Sequence, residues 1–317
     1  MKNSASNQRR IQALQRQAKQ LLPLVTHALA ELGYQKAAHQ RISQQNNEGA
    51  LSYQGLTRAQ HTRFGQVMIK WHLSLDPQPS PADLQPEIRV LKHLKPASTQ
   101  HKETIAPPVL HSDGFVLPLA KPHHSLSFFT MPYYINGSLA PYLRQPITDH
   151  QKHIVIMQAA PLISALHQSG WIHGDIKPSN ILIADDLSLL LTDFALAEPM
   201  ANPDTHYFHK TNPIKSAGTP AYLAPECWQG QSCTAQRDIY AFGIMMYEIL
   251  IGKRAFMING HGCEPIKDWA TQHCQQPVPV LPHKYRHYQA IINKALAKQL
   301  ELRYQGMQEV WEDLQAL

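Results

Sequence analysis

The sequence predicts an α+β chain in two lobes, a small β-rich part followed by a larger helical part, with the change-over near Asn136. Three observations predict it. Short strand-like segments, separated by polar and Gly-containing stretches, fill the region up to Tyr134. Helical apolar periodicity dominates after Gly137. The composition, 43% hydrophobic and 16% charged over 317 residues, is that of an ordinary globular chain.

Taken in order, the first element is a stripe of Ile11, Leu14, Ala18, Leu21, Val25, Ala28 and Leu32 between Gln8 and Leu32. Its alternating three- and four-residue steps mark an amphipathic helix. Pro23 interrupts it; a proline inside a helix removes a hydrogen bond and costs about 3 kcal/mol, so two shorter helices or one kinked helix fit best. Residues 1–40 therefore read as a helical extension, packed on the main domain or, as the alternative, forming a dimer seam. Arg41–Gln45, Ser52–Ala59 and Gln66–Leu73 read as a three-strand meander. The Pro-rich stretch DPQPSPADLQP precedes EIRVLKHL, where Ile88, Leu91 and Leu94 fall at helix spacing. Strand-like runs return at Gly114–Leu119 and Ser125–Tyr134. Helices are predicted at His150–Gln168, Arg237–Ile251, Tyr288–Lys298 and Met307–Leu317.

The net charge of +6 is spread along the chain without a dense basic run, which argues against a nucleic-acid partner. Four cysteines (Cys227, Cys233, Cys263, Cys274) include no CxxC pair and read as free thiols in a reducing compartment. Nineteen scattered histidines show no zinc-site spacing. The basic, polar N-terminus leads into a Gln-rich helical pattern instead of an apolar signal core, and no apolar stretch approaches the length of a membrane span. The expectation is a soluble cytoplasmic protein with no membrane partner; its oligomeric state is open.

The chemistry concentrates in HGDIKPSN, His173–Asn180, followed by Asp193 in DFA. Phosphoryl transfer needs a carboxylate beside the attacking hydroxyl and oxygen ligands that hold a divalent cation on the phosphates; Asp175, Asn180 and Asp193 are groups of that kind. With VMIK ending at Lys70, MPYYINGSL from Met131, GTPAYLAPE ending at Glu226, and DIYAFG from Asp238, six short motifs stand in one order. In that set the chain resembles the eukaryotic-type serine/threonine protein kinase family over about 275 positions.

The resemblance implies a two-lobed kinase fold, with a small lobe at 41–135 and a large lobe at 136–317. It also implies transfer of the γ-phosphate of ATP, with Mg²⁺ or Mn²⁺, to protein Ser/Thr hydroxyls, autophosphorylation included. Asp175 would be the catalytic base and Lys177 the cation on the moving phosphate; Asn180 and Asp193 would be metal ligands. Lys70 would bind phosphates with Glu87 as its ion-pair partner. Gly49 would lie in the phosphate loop, Met131 and Tyr133 at the hinge with Met131 as gatekeeper, and Leu182 on the adenine floor. Thr219 would lie close to base and lysine, Glu226 would pair with Arg303, and Asp238 would brace the catalytic loop. The last three read as structural. Lys70, Asp175, Asn180 and Asp193 read as functional, because polar and charged groups converging on one cleft cost stability unless something binds there.

Four positions depart from the family pattern. QNNEGALSY, Gln45–Tyr53, keeps only Gly49 of a glycine-rich loop. Met68 stands where the family usually has alanine. Gly174 replaces an arginine that gathers a phosphorylated segment, so a phosphate on Thr205, Thr211 or Ser216 would lack its bidentate partner, and activity independent of such a phosphate is expected. Ala195 replaces glycine after Phe194. Two other readings follow from these departures. HGD also resembles small-molecule phosphotransferases of kinase-like fold, against which stand Lys177–Pro178 and the long segment from Asp193 to Glu226. A pseudokinase scaffold is favoured by the degenerate loop and Met68, and opposed by the intact Lys70, Asp175, Asn180 and Asp193.

Overall fold

The structure is a computed structural model and describes residues 20–47, 50–75, 84–94, 104–117, 124–200, 218–231, 234–258 and 265–317. The chain divides into two compact units, Met1–Lys95 with Pro107–Tyr133, and Pro96–Ala106 with Tyr134–Leu317.

The smaller unit is a five-stranded antiparallel sheet in the order β1-β2-β3-β5-β4, formed by β1 (Tyr34–Asn47), β2 (Ala50–His61), β3 (Gly65–Ser74), β4 (His111–Leu117) and β5 (His124–Pro132). Side chains alternate faces along a strand. Val67, Ile69, Trp71 and Leu73 of β3 are fully buried on one face, while Lys70 points to the other. The Trp71 face is covered by helix α1 (20–31), whose Leu21, Val25, Ala28 and Leu29 join the same cluster as Tyr34, Ala59 and Phe128. The helix runs through Pro23; the part of the predicted stripe before residue 20 lies outside the described residues. Gly55, opposite Trp71 in the ladder, makes room for the indole, since a Cβ there would sit 2.1 Å from the ring. The indole N–H can then donate to Thr57 Oγ1 at 2.8 Å. Thr57 in turn donates to His39 Nδ1 (2.7 Å), leaving His39 Nε2–H for Thr26 Oγ1 (2.8 Å), so one neutral imidazole ties α1 to the sheet. Burial lowers the His39 pKa, which favours that neutral form.

β1 begins at Tyr34, before the predicted start at Arg41. The stretch YQKAAHQ has weak β-propensity, and the buried Tyr34 with the His39–Thr57 bond decide its conformation. Helix α2 (Gln85–His93) carries Glu87 and buries Ile88 and Leu91, as its spacing predicts.

The larger unit is helical. Helix α3 (Leu139–Tyr142) is a single turn, and α4 (Asp149–Gln168) starts with a reciprocal cap: Gln151 N–H donates to Thr148 Oγ1 (3.2 Å) and Thr148 N–H to Gln151 Oε1 (2.8 Å). Short strands β6 (Trp171–Ile172), β7 (Ile181–Ile183), β8 (Leu189–Leu191) and β9 (Glu198–Pro199) pair as β6 with β9 and β7 with β8. Helices α5 (Pro225–Trp228), α6 (Gln236–Ile251), α7 (Pro265–Gln275), α8 (Gln289–Ala295) and α9 (Met307–Gln315) follow. Nearly all of α6 is buried; α4 packs on α6 and α9, and α8 on α6. Of these, α3, α5 and α7 are absent from the sequence prediction: two are single turns, and α7 buries only His273, so its apolar stripe is weak.

His273 is enclosed by Trp228, Phe256 and Trp269, and its Nδ1 lies 2.9 Å from the Tyr240 hydroxyl. Burial, aided by the nearby Lys298 charge, brings its pKa down to about 3. The unfolded chain then takes up this proton at about pH 6.5 and the folded chain only near 3, so stability falls as pH drops through that window. Between pH 7 and 5.5 this loss is about 1 kcal/mol. Urea denaturation of the parent and of His273→Gln at both pH values is expected to show the smaller pH loss in the variant; equal losses would remove His273 from the account.

Candidate active site

Asp238, in the first turn of α6, is almost fully buried and fixes the backbone of the loop after β6. Its Oδ2 accepts from His173 N–H (2.8 Å) and stands 3.0 Å from His167 Nε2, and its Oδ1 accepts from Gly174 N–H (2.9 Å). Burial alone would raise this carboxyl's pKa; the hydrogen bond and charge of His167, with those from His173, outweigh it and hold the pKa below the usual range. His173 is fully buried. Asp175 N–H donates to its Nδ1 (3.2 Å), so its Nε2–H donates to the Thr192 carbonyl (3.1 Å), joining the loop to the residue before Asp193. Burial lowers the His173 pKa and keeps the ring in this neutral tautomer.

The Asp175 carboxylate is gripped on both oxygens. Thr219 N–H donates to Oδ1 (3.0 Å), Asn180 Nδ2 donates to Oδ2 (3.0 Å), and the Lys177 ammonium donates to the same Oδ2. Lys177 Nζ also donates to Thr219 Oγ1 at 2.6 Å. Charge-assisted contacts of this kind are the stronger class of hydrogen bond, and three of them leave the carboxylate little freedom to rotate. Asn180 Nδ2 also donates to the Asp175 carbonyl (2.9 Å), which fixes the amide so that Oδ1 faces the other way. The Asn180 carbonyl accepts from Thr192 N–H (2.9 Å), bringing Asn180 next to Asp193 along the chain. Asp193 has φ +66° and ψ +63°, a left-handed conformation that is uncommon outside glycine and that tends to occur at functional sites. Phe194 is buried against His173, ring centres 4.9 Å apart. Leu182, half-buried in β7, bridges to Ser138.

Glu226 and Arg303 form a doubly hydrogen-bonded pair, Nη1 to Oε1 at 2.8 Å and Nη2 to Oε2 at 3.0 Å, with the arginine side chain 0% exposed. The guanidinium also donates to the carbonyls of Ala297 and Gln236, both at 3.0 Å.

In the smaller unit, Lys70 Nζ donates to Glu87 Oε2 at 2.6 Å, with side chains 11% and 3% exposed. Met131 of β5 is buried opposite Met68 of β3. Tyr133 lies under the Arg58 guanidinium, and its N–H donates to the Gln66 carbonyl (3.1 Å), so that amide is already engaged by the sheet. Gly49, Thr205, Thr211 and Ser216 lie outside the described residues.

Three residues that the sequence reading left without a role emerge here. His167 is placed against Asp238 by one helical turn of α4; His173 was inside the motif, but the use of both its ring nitrogens is a property of the fold. Arg237 directly precedes Asp238 and donates from Nη2 to the Gly174 carbonyl at 3.0 Å.

The chain belongs to the protein kinase domain family, whose model matches residues 74–313. Among curated relatives, it is 32% identical over 197 residues to the serine/threonine-protein kinase PknB of Mycobacterium leprae, covering 60% of this chain and 30% of that protein. It is 34% identical over 175 residues to PknB of Mycobacterium tuberculosis, covering 53% and 26%. A rice protein named "Probable inactive leucine-rich repeat receptor kinase XIAO" is 31% identical over 170 residues, covering 50% and 14%. The matched region thus spans less than a third of the length of these relatives. Family membership implies ATP and a divalent cation. No helix among the described residues is long and apolar enough to cross a membrane.

Proposed function

We propose that this chain is a serine/threonine protein kinase that moves the γ-phosphoryl group of ATP to a protein hydroxyl, its own chain included, with Asp175 as the base. The observation that carries this is the grip on Asp175 by Lys177, Asn180 and Thr219. A carboxylate held on both oxygens is aimed, and positioning is most of what phosphoryl transfer asks of a protein. Asp175 takes the proton of the acceptor hydroxyl as that oxygen bonds to the γ-phosphorus and the bridging oxygen leaves with ADP. Lys177, next to Asp175 and Thr219, puts a cation where charge develops on the transferred group.

Asn180 and Asp193 suit Mg²⁺, or Mn²⁺, because both offer oxygen, and the Asn180 amide is fixed with its oxygen turned away from Asp175. Bound there, the cation neutralises phosphate charge. Lys70, paired with Glu87 within the smaller unit, would supply an ammonium for the non-transferred phosphates, as the family motif implies. The acceptor class rests on Lys177 with Pro178, on its bond to Thr219, and on the PknB likeness.

The test is intact-mass spectrometry after incubation with Mg·ATP and a generic basic protein. Phosphate-sized mass gains on Ser or Thr are expected; none across a wide ATP range, with nucleotide binding confirmed by thermal shift, would favour a small-molecule acceptor or a scaffold. Lys70→Met is expected to lower kcat/KM by about 10²-fold. It also leaves Glu87 buried without its cation, which destabilises the smaller unit by about 3 kcal/mol. A steady-state assay in which kcat/KM falls less than about threefold would remove Lys70 from the site.

A further inference from the structure

We infer that Arg237 is a positioning residue that holds the start of the segment after Asp193 to the loop that carries Asp175, making the site competent without a phosphorylated residue. This rests on the kinase reading above. Gly174 has φ +81°, and a Cβ built on it would lie 2.2 Å from Arg237 Nη2, 2.9 Å from its Cζ and 2.7 Å from the Leu196 carbonyl oxygen. The guanidinium thus fills the space that a side chain at position 174 would need. The glycine, read from sequence as the loss of a cation from the catalytic loop, is the condition for another cation to arrive from α6.

Arg237 is 7% exposed and bridges two segments. Nη2 donates to the Gly174 carbonyl (3.0 Å), and Nη1 stands 3.7 Å from Glu198 Oε1. Glu198 lies in β9, opposite Ile172 of β6, and the next residue but one, Met200, donates its N–H to the Gly170 carbonyl (2.8 Å). The chain just after Asp193 is therefore stitched to the chain just before Asp175 by backbone hydrogen bonds and by one guanidinium. A buried guanidinium needs a counter-charge. Elsewhere a phosphate can supply the anion for such an arginine; here the Glu198 carboxylate, carried by the segment itself, stands 3.7 Å away as the counter-charge. A planar five-donor fork can serve a carbonyl and a carboxylate together, which a lysine ammonium in the same place does less well.

The experiment compares wild type, wild type treated with phosphatase, Arg237→Gln, Arg237→Lys and Glu198→Gln. It reads kcat and KM for ATP, and amide hydrogen exchange in Trp171–Ile172 and Glu198–Met200. Arg237→Gln is expected to lower kcat about tenfold or more with KM for ATP within about threefold, and to speed exchange in both strands about tenfold. Arg237→Lys should recover part of both, and phosphatase-treated wild type should keep its rate within about twofold. A folded Arg237→Gln with kcat and exchange both unchanged overturns the inference. So does a loss of about tenfold on phosphatase treatment. Should Arg237→Gln fail to fold, Glu198→Gln decides: its side chain is 47% exposed, so the core survives, and faster β6–β9 exchange with a lower kcat is expected, no change in either being contrary. If wild type transfers no phosphate at all, the kinase reading fails while the exchange data still report on the clamp.

Discussion

Asp175→Asn is expected to lower phosphoryl transfer by about 10²- to 10⁴-fold while leaving nucleotide binding intact. The substitution keeps size and shape but removes the proton acceptor. It also disturbs the grip on the side chain. In the parent, Oδ1 accepts from the Thr219 amide and Oδ2 from Asn180 and Lys177, so donors surround both oxygens. An asparagine has one oxygen, and its NH₂ must face one set of those donors. Transfer rates with Mg·ATP and a protein acceptor, beside the nucleotide-induced shift in melting temperature, separate the two effects. A variant that binds ATP normally and retains a rate within tenfold of the parent would mean that Asp175 is not the base.

The second large effect is on stability. Arg303→Met should destabilise the larger unit by about 3–5 kcal/mol, since it leaves the Glu226 carboxylate buried without its partner. Two backbone carbonyls, of Ala297 and Gln236, lose their donor as well. Arg303→Lys should recover little, because an ammonium cannot reproduce the two parallel bonds. Adding Glu226→Gln to Arg303→Met should restore part of the loss by removing the uncompensated charge. Chemical denaturation of the three variants reads these differences. A cost below about 1 kcal/mol for Arg303→Met would show that the pair contributes little at this site.

The legible parts of this protein are those whose chemistry is local in sequence. His173–Asn180 is one short segment, so Asp175, Lys177 and Asn180 could be matched together to the family motif that implies a base, a cation and a metal ligand. The Glu226–Arg303 pair spans 77 residues and was reachable only through family resemblance. The small lobe was read less well. The family match starts at Ser74, after Lys70, and the strands before it are held by backbone ladders and by alternating burial, which many side-chain choices satisfy. That is why β1 starts earlier than predicted, with Tyr34 and His39 settling the matter through contacts distant in sequence. The relation of Gly174 to Arg237 is the clearest case of what a sequence hides. A missing side chain at one position and a guanidinium 63 residues away have meaning only as one filled volume.

Asp238 binds the loop after β6 through the amide groups of His173 and Gly174. A main-chain N–H is the same at every residue except proline, so this anchor does not discriminate among the side chains above it. The loop's shape is thus set from a buried helix, through groups that its side chains do not alter. Position 174 is the exception, because its φ of +81° and the Arg237 guanidinium beside it leave room for glycine alone.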